Sequence, residues 1–358
     1  MGSEKGRHGP SKTRFPTPLD NRRMPAAPRF SPRTIGLGAA IVTVLVWTAF
    51  IVIARASAAR SLTPFDIAFA RISGAGLVLL PWGAWLVMRA RQRDPAAESS
   101  LFGLSPLSLR LTILAGVVGG LGYPLLAYSG FFFAPAVHAS VLMPGSLPLW
   151  TALLAAVVLR DRITPGRALG LALIVVGDLF VGGASLLHAL QGGAIWKGDL
   201  LFMTAAFCWA SYSVLARRHA LEAVRATIAI TVFAFITYVP VYALLAASGV
   251  VASRLGSAPI GEVLFQMLFQ GVGSVVISGI TFTRMIQHFG PVRSTMITAL
   301  VPGLSALGAV AFLDEPLYWN LVAGLLLVTA GILFGVQRSR VANPPPKGAV
   351  PVGGCADA

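Results

Sequence analysis

A hydrophobic stretch occurs twice in this chain: Ala206–Arg217, with the sequence AFCWASYSVLAR, and Val44–Arg55, with the sequence VLVWTAFIVIAR. In both copies a tryptophan is followed three residues later by an aromatic residue and eight residues later by an arginine. A repeated unit indicates an architecture built from repeats. Because both copies lie inside long apolar runs, the pattern predicts a membrane protein with two related halves.

The composition supports a membrane protein. Of the 358 residues, 56% are hydrophobic and only 11% are charged, and the mean hydropathy is +0.77. A soluble domain has about a quarter charged residues. The net charge of +15 is typical of nucleic-acid-binding proteins, but the basic residues lie in tails and short loops, which argues against a nucleic-acid partner. The two cysteines, Cys208 and Cys355, provide neither a disulfide framework nor a zinc-binding spacing.

Ten apolar segments are long enough to cross a bilayer as helices, since about 20 residues span the hydrocarbon core and lipid cannot satisfy free backbone groups. The predicted spans are residues 34–57, 65–88, 109–132, 137–159, 166–186, 199–217, 226–247, 263–287, 292–313 and 318–336. Residues 1–33 are rich in Pro, Arg, Lys and Ser, with no compact apolar region followed by a cleavage site. They predict a disordered cytoplasmic tail rather than a signal peptide.

The positions of Lys and Arg predict the orientation of these spans. With the N-terminus inside, 23 of the 28 basic residues fall on the cytoplasmic side, and Arg71 falls within a span. Only four fall outside: Arg55, Arg60, Lys197 and Arg254. We therefore expect a multi-pass protein of the cell (inner) membrane with both termini in the cytoplasm.

Matching residues at an offset of 154 divide the ten spans into two sets of five. The matching pairs are Pro148 with Pro302, Asp161 with Glu315, Gly170 with Gly324 and Gly177 with Gly331. Chance similarity between Leu-, Ala- and Gly-rich helices is the alternative explanation. An odd number of helices per unit makes the two copies inverted in the membrane. The predicted organisation is a first repeat at 34–186, an outer connecting loop at 187–198, a second repeat at 199–336 and a cytoplasmic tail at 337–358.

Each half resembles the five-helix unit of the drug/metabolite transporter superfamily, EamA-type branch. The resemblance rests on the order and spacing of Thr63-Pro64, Phe69-Ala70-Arg71, Leu159-Arg160-Asp161-Arg162, Gly198-Asp199 and Leu313-Asp314-Glu315, and it covers about residues 34–336. Two residues depart from the family pattern: Asp161, where the family commonly has Glu, and Asp178, where it usually has an apolar residue. The resemblance implies a secondary transporter that exports amino acids, metabolites or drugs.

Inverted repeats imply a substrate site near the bilayer midplane between the halves. Trp47 and Trp209 lie roughly 15–20 Å into their helices, although tryptophan normally prefers the membrane interface. We interpret these residues, together with Tyr212 of the second copy, as candidates for stacking against a substrate. Ordinary helix packing is the alternative.

The eighth span contains a polar stripe at helical spacing that includes Gln270, Ser274, Thr281 and Arg284. Such a stripe is costly in lipid and should face protein or a water-filled cavity. The corresponding stripe on the third span contains Tyr123 and several glycines. These residues predict a solute cavity, whereas hydrogen bonding between helices, with Arg284 extending to the interface, is the alternative.

Two further ionisable residues lie within spans. Arg71 is a candidate for recognising a carboxylate, which is supported by its place in the family motif. Asp178 is a candidate for carrying a coupled proton, since intramembrane carboxylates mark proton relays, but it is equally consistent with a packing role.

The chain contains no metalloprotease, P-loop or nucleophile-elbow signature, so we predict neither an enzyme nor a cofactor or metal site. A polytopic membrane enzyme that acts on lipid-linked substrates and a passive channel are the alternative functions. The expected partners are a small organic solute and the lipid bilayer. The spacing of Gly331 and Gly335 is compatible with a homodimer contact.

Overall fold

The computed structural model describes Gly2, residues 32–189 and residues 192–339, and this part of the chain forms ten helices. In chain order they are α1 (Pro32–Ala58), α2 (Pro64–Arg93), α3 (Leu109–Phe131), α4 (Ala136–Val158), α5 (Pro165–Ala189), α6 (Ile195–Arg218), α7 (Ala223–Ala247), α8 (Ile260–Gln266, Met267–Ile277 and Ser278–Thr298 in succession), α9 (Leu300–Leu313) and α10 (Trp319–Ser339). Most of both predicted tails lies outside the described residues.

These helices confirm the prediction of an all-helical membrane protein. Within the described residues, regular structure is helical apart from an isolated bridge between Ser100 and Ser105. Eight helices are long and apolar enough to cross a membrane. The remaining two apolar helices, Leu300–Leu313 and Trp319–Gly335, are shorter.

The boundary between the eighth and ninth predicted spans is wrong. The segment 288–291, predicted as a loop, is helical, and the helix breaks at Ala299 instead. Packing explains the difference: Phe289 and Met285 contact the start of α1, at Ala39 and Ala40, and hold the segment in a helix. The helix ends bordering the predicted outer connecting loop also extend further than expected, to Ala189 and from Ile195.

Local sequence explains where α2 begins. The hydroxyl of Thr63 accepts a hydrogen bond from the backbone N–H of Asp66 at 3.2 Å, and the Asp66 carboxylate accepts one from the backbone N–H of Thr63 at 3.0 Å. This reciprocal capping box satisfies two amides that the helix leaves unpaired. Pro64, at the first helical position, lacks the N–H that would need a partner there.

Helices of the two halves contact each other in matching pairs. α1 packs against α8 and α9, while α6 packs against α3 and α4, and α2 and α7 pack against each other. α2 also contacts α8, as α7 contacts α3. Each of these contacts thus has an equivalent in the other half, in which α1 corresponds to α6, α2 to α7, α3 to α8 and α4 to α9.

α5 and α10 approach closely at two glycine crossings. A Cβ on Gly170 would lie 2.7 Å from the carbonyl oxygen of Gly331, and a Cβ on Gly177 would lie 2.7 Å from that of Gly324. Only glycine permits backbones to meet at this distance. Gly331, which the sequence suggested for a homodimer contact, therefore packs within the chain.

Substitution of Gly177 by alanine is expected to lower the free energy of unfolding by about 1–3 kcal/mol, because the added methyl group would overpack the crossing with Gly324. Gly182 lies on the same helix and has no atom within 4 Å of an added Cβ. Gly182→Ala is therefore the control and should be neutral or slightly stabilising. Denaturant titration in mixed micelles measures both effects, and equal losses would contradict the role of the crossing.

The loops that follow α1, α3, α5, α7 and α9 meet at one end of the bundle. Contacts between these regions include Ser61 with Glu262 and Gly198 with Ala134. This end was predicted to face outside, and we call it the predicted outer face. The opposite end is the predicted inner face.

Candidate functional site

Three of the aromatic candidates lie together in the middle of the bundle. The ring of Trp209 lies 5.0 Å from that of Tyr123 on α3 and 5.1 Å from that of Tyr212, measured between centroids. All three side chains are half-buried. Trp47 instead pairs with Phe282 of α8, at 5.1 Å. The repeated tryptophans thus occupy different surroundings, and Trp209 is the one that joins an aromatic group.

Small residues on α3 allow α6 to come this close. The segment Gly116–Gly122 of α3 is π-helical, as is Met267–Ile277 of α8. A Cβ on Gly119 would lie 3.1 Å from the ring of Tyr212, and a Cβ on Gly122 would lie 3.2 Å from Cys208 Sγ. π-Helical turns within α-helices are frequent at functional sites, and these two lie at corresponding positions of the third and eighth helices.

Phe50 connects this aromatic group to Arg71. Its ring lies 6.4 Å from that of Tyr123 and 6.0 Å from that of Tyr128. The guanidinium carbon of Arg71 lies 5.6 Å from the Phe50 centroid, which is within the range of a cation–π interaction. Phe50 is the aromatic residue that follows Trp47 by three positions, as Tyr212 follows Trp209.

The side chain of Arg71 is buried where α2, α3 and α8 meet. Its Nη1 donates to the hydroxyl of Ser274 at 3.1 Å, to the carbonyl oxygen of Gln270 at 3.2 Å and to the hydroxyl of Tyr128 at 3.4 Å. Two predicted candidates, Gln270 and Ser274, are therefore brought together with a third, Arg71. The residues in contact form the central cluster: Phe50, Arg71, Tyr123, Tyr128, Trp209, Tyr212, Gln270 and Ser274.

The amide side chain of Gln270 has free hydrogen-bonding capacity. The residue is fully buried, and neither its Oε1 nor its Nε2 has a hydrogen-bond partner in the described part of the chain. Buried polar groups are normally paired, so an unpaired amide in the cluster is available to a ligand or water. One turn earlier, Gln266 Nε2 donates to Ser57 at 2.7 Å and connects α8 to α1.

The remaining predicted candidates lie outside the central cluster. Thr281 accepts a hydrogen bond from Thr43 at 2.9 Å, which is a contact between α8 and α1. Arg284 is exposed, and no described hydrogen bond or ring contact connects it to the cluster. The stripe therefore has two parts. Gln270 and Ser274 join the cluster, as a solute site would require, whereas Thr281 bonds a neighbouring helix.

Asp178 is buried on α5, away from the central cluster. Neither carboxylate oxygen has a hydrogen-bond partner among the described residues. The hydroxyl of Ser146 on α4 donates to the carbonyl oxygen of Leu142 and to the sulfur of Met203.

A carboxylate that the sequence analysis did not select as functional connects several helices at the predicted outer face. Glu315, which follows α9, accepts hydrogen bonds from Arg55 Nε at 3.1 Å, from the backbone N–H of Ala136 at 3.0 Å and from that of Val137 at 3.1 Å. Arg55 also donates to the carbonyl oxygen of Phe131 at 2.6 Å. Glu315 thereby connects the second half to α1 and to the N-terminus of α4, where backbone amides favour a negative charge.

Two further carboxylates, those of Asp66 and Asp199, each bind partners on other helices at the same face. Asp66 accepts hydrogen bonds from Tyr242 at 2.8 Å and from Ser253 at 2.7 Å, which connects α2 to α7 and the loop after it. Asp199 pairs with His138 at 2.9 Å and accepts a short hydrogen bond from Ser185. The available sequence signals were the Gly198-Asp199 motif for Asp199 and the position of Asp66 two residues after Thr63-Pro64.

The Arg55–Glu315 pair has a counterpart at the predicted inner face. Arg217 Nη1 lies 2.7 Å from the carboxylate of Asp161. Arg217 corresponds to Arg55 in the repeated stretch, and Asp161 corresponds to Glu315 at the offset of 154. The two pairs differ in burial, because the Glu315 side chain is 9% exposed and that of Asp161 is 27% exposed.

Backbone geometry at the two sites also corresponds. Arg160 and Asp314, again 154 residues apart, both adopt left-handed conformations, with φ of 57° and 52°. In each case the following residue, Asp161 or Glu315, donates its N–H to the preceding helix, at Ala155 or Ala309. The same local turn therefore presents a carboxylate at each face.

A groove of about 440 Å³ lies at the C-terminal end of α2, away from the central cluster. Its lining includes Met88, Arg91, Gln92 and Phe102. None of the predicted site residues borders it. Among the described residues, no group of three or more His, Cys, Asp or Glu side chains has a metal-binding arrangement.

The model of the EamA-like transporter family matches the chain twice, at residues 34–183 and 196–336. An uncharacterized transporter of Bacillus subtilis, YyaM, is 27% identical over 231 residues, which cover 62% of this chain and 71% of that protein. An uncharacterized transporter of Archaeoglobus fulgidus is 24% identical over 302 residues, or 83% of this chain and 96% of that protein. One crystal structure of a protein has a TM-score of 0.54 and 20% identity, with 87% of this chain and 99% of that one covered. At that identity the likeness concerns the fold.

Proposed function

Since the chain belongs to the EamA-like transporter family, we propose that this membrane transporter is a secondary exporter of small organic solutes, such as amino acids, metabolites or drugs. The two halves alternate around the central cluster, so that it opens first to one face and then to the other. The transporter names of both relatives agree with this class of function.

The corresponding Arg55–Glu315 and Arg217–Asp161 pairs carry the proposal. In an inverted repeat, equivalent contacts lie at opposite faces, and a carrier that is open to one side must close one set while it exposes the other. Here the pair at the predicted outer face is the more buried one, and it is reinforced by two backbone amides of α4. We therefore assign the described state as closed at the predicted outer face.

The two family matches and the paired helix contacts support an inverted repeat. Each matched segment contains five helices, and the contacts of α1 with α8 and α9 and of α2 with α8 have equivalents in those of α6 with α3 and α4 and of α7 with α3. An axis in the membrane plane relates such units, with the cluster between them.

Cysteine accessibility in intact cells tests the accompanying proposal that both termini lie in the cytoplasm of an inner-membrane protein.

Solute exchange across reconstituted membranes distinguishes a carrier from a passive channel. Proteoliposomes loaded with unlabelled solute are expected to accumulate labelled solute transiently above equilibrium, because an alternating site returns across the membrane in exchange. A channel would equilibrate the label without this overshoot. Lack of counterflow for every amino acid, nucleoside, sugar and organic cation assayed in folded protein would contradict the proposed transport.

We further propose that the proton gradient drives transport and that Asp178 carries the coupled proton. A pH gradient with an acidic vesicle interior is expected to increase the rate of solute uptake into inside-out vesicles, because protons that leave the lumen drive solute into it. Asp178→Asn is expected to remove this dependence while it preserves counterflow. Transport that ignores the gradient in the unsubstituted protein would exclude proton coupling.

A further inference from the structure

The guanidinium group of Arg71 is anchored to the protein through a single nitrogen. All three of its described hydrogen bonds leave from Nη1, and all three acceptors are uncharged: the carbonyl of Gln270 and the hydroxyls of Ser274 and Tyr128. Nε and Nη2 have no described partner. Arginine presents its donors as a planar fork that binds a carboxylate through two parallel hydrogen bonds. One complete edge of this fork is therefore left for another group.

The positive charge of Arg71 lacks a counterion in the described part of the chain. The residue is 9% exposed, and no described carboxylate lies within ion-pair distance of it. The carboxylates of Asp66 and Glu315 have other partners, since Asp66 bonds Tyr242 and Glu315 bonds Arg55. An ionised side chain within a span is costly unless it is paired or solvated. A ligand that supplies a negative charge would relieve this cost.

The surroundings of Arg71 define what else the ligand contacts. The ring of Phe50 lies beside the guanidinium, and the rings of Tyr123 and Trp209 continue from it with centroid spacings of 6.4 and 5.0 Å. The unpaired amide of Gln270 lies on the helix turn whose carbonyl accepts from Arg71. A charged end and an aromatic wall are thus adjacent in one cluster.

We infer that the central cluster binds solutes that carry a carboxylate next to an apolar, ring-sized body. Nε and Nη2 of Arg71 bind the carboxylate, the Gln270 amide bonds a neighbouring polar atom, and the Tyr123 and Trp209 rings cover the apolar part. This inference rests on the proposed function, because it names the class of cargo. It selects organic carboxylates, zwitterionic amino acids included, and excludes purely cationic solutes.

Matched probes that differ in one group test the inference. Phenylacetate, phenylalanine, phenethylamine and benzyl alcohol share a ring but differ in the carboxylate, and thermal-shift and calorimetric titrations with purified protein measure their binding. Phenylacetate and phenylalanine are expected to bind, whereas the amine and the alcohol are not. Arg71→Gln should weaken carboxylate binding at least tenfold, and Arg71→Lys, which retains the charge but not the fork, should have an intermediate effect.

Arg284→Gln provides the matched control, because it removes the same charge at an exposed position of α8 and should leave the affinity unchanged. Melting temperatures without ligand show whether each variant is folded. Equal binding of phenethylamine, no effect of Arg71→Gln in folded protein, or no binding of any carboxylate would each overturn the inference. Counterflow of a solute without a carboxylate, insensitive to Arg71→Gln, would overturn it while transport stands. A carboxylate that binds through Arg71 without being exchanged would instead contradict transport.

Discussion

Replacement of Glu315 by alanine is expected to lower the free energy of unfolding by about 3 kcal/mol. The substitution removes the acceptor of Arg55 and of the backbone N–H groups of Ala136 and Val137. Hydrogen bonds to charged groups contribute about 1.5–3 kcal/mol each, and loss of one partner leaves the others unsatisfied. Denaturant titration in mixed micelles measures the change, and a concurrent fall in counterflow would show that closure of this face belongs to the transport cycle.

Asp161→Ala is the matched control, because Asp161 corresponds to Glu315 but its pair with Arg217 is more exposed. Exposed ion pairs contribute about 0–1 kcal/mol, so we expect a small change. A double-mutant cycle with Arg55→Ala separates the ion pair from the bonds to the α4 amides. If Glu315→Ala and Asp161→Ala destabilise the protein equally, the two faces are equally closed, and the assignment of this state as outwardly closed is wrong.

Substitution of Trp209 by alanine is expected to weaken solute binding about 100-fold. Trp209 contacts both Tyr123 and Tyr212, and truncation of a tryptophan that anchors a bound partner costs about 2–4 kcal/mol of binding free energy. A loss of about 3 kcal/mol in binding corresponds to about two orders of magnitude in Kd. A thermal-shift titration that compares the variant with the unsubstituted protein measures the change in affinity.

Trp85→Ala tests whether the effect is specific to the central cluster. Trp85 lies on α2, is 43% exposed and packs under the Arg89 guanidinium, so its loss should leave solute affinity unchanged. The melting temperature without solute separates a binding defect from a general loss of stability. If a ligand stabilises Trp209→Ala as strongly as the unsubstituted protein, Trp209 does not line its site.

Part of the candidate site could be predicted from local patterns. The repeated tryptophan motif identified Trp209 and Tyr212, and helical spacing placed Gln270 and Ser274 on one face of α8. Tyr128 was not selected because it lies off the stripe of α3 that contains Tyr123. The structure nevertheless places its hydroxyl 3.4 Å from Arg71. The π-helical turns between Gly116 and Gly122 change which side chains of α3 share a face, and regular periodicity does not account for this change.

Other residues show how neighbouring helices determine the role of a polar side chain. Thr281 and Ser274 belong to the same stripe, yet Thr281 meets Thr43 of α1 and Ser274 meets Arg71 of α2. Arg284, about three turns beyond Ser274 on the same helix, is exposed. A single helix pattern specifies a face but not the helix that covers it at each turn.

The amino-acid sequence was sufficient to predict the all-helical membrane architecture, the correspondence between two halves and the residue types of the candidate site. These properties follow from hydropathy, helical periodicity and repeat spacing, all of which are local along the chain. Three properties required the arrangement of the helices in space: Arg71 is anchored through Nη1, the side-chain amide of Gln270 is buried without a partner among the described residues, and Glu315 accepts hydrogen bonds from backbone amides of α4. These properties depend on the rotation and approach of helices distant in sequence, which are set by packing at glycine crossings and π-helical turns rather than by any local pattern.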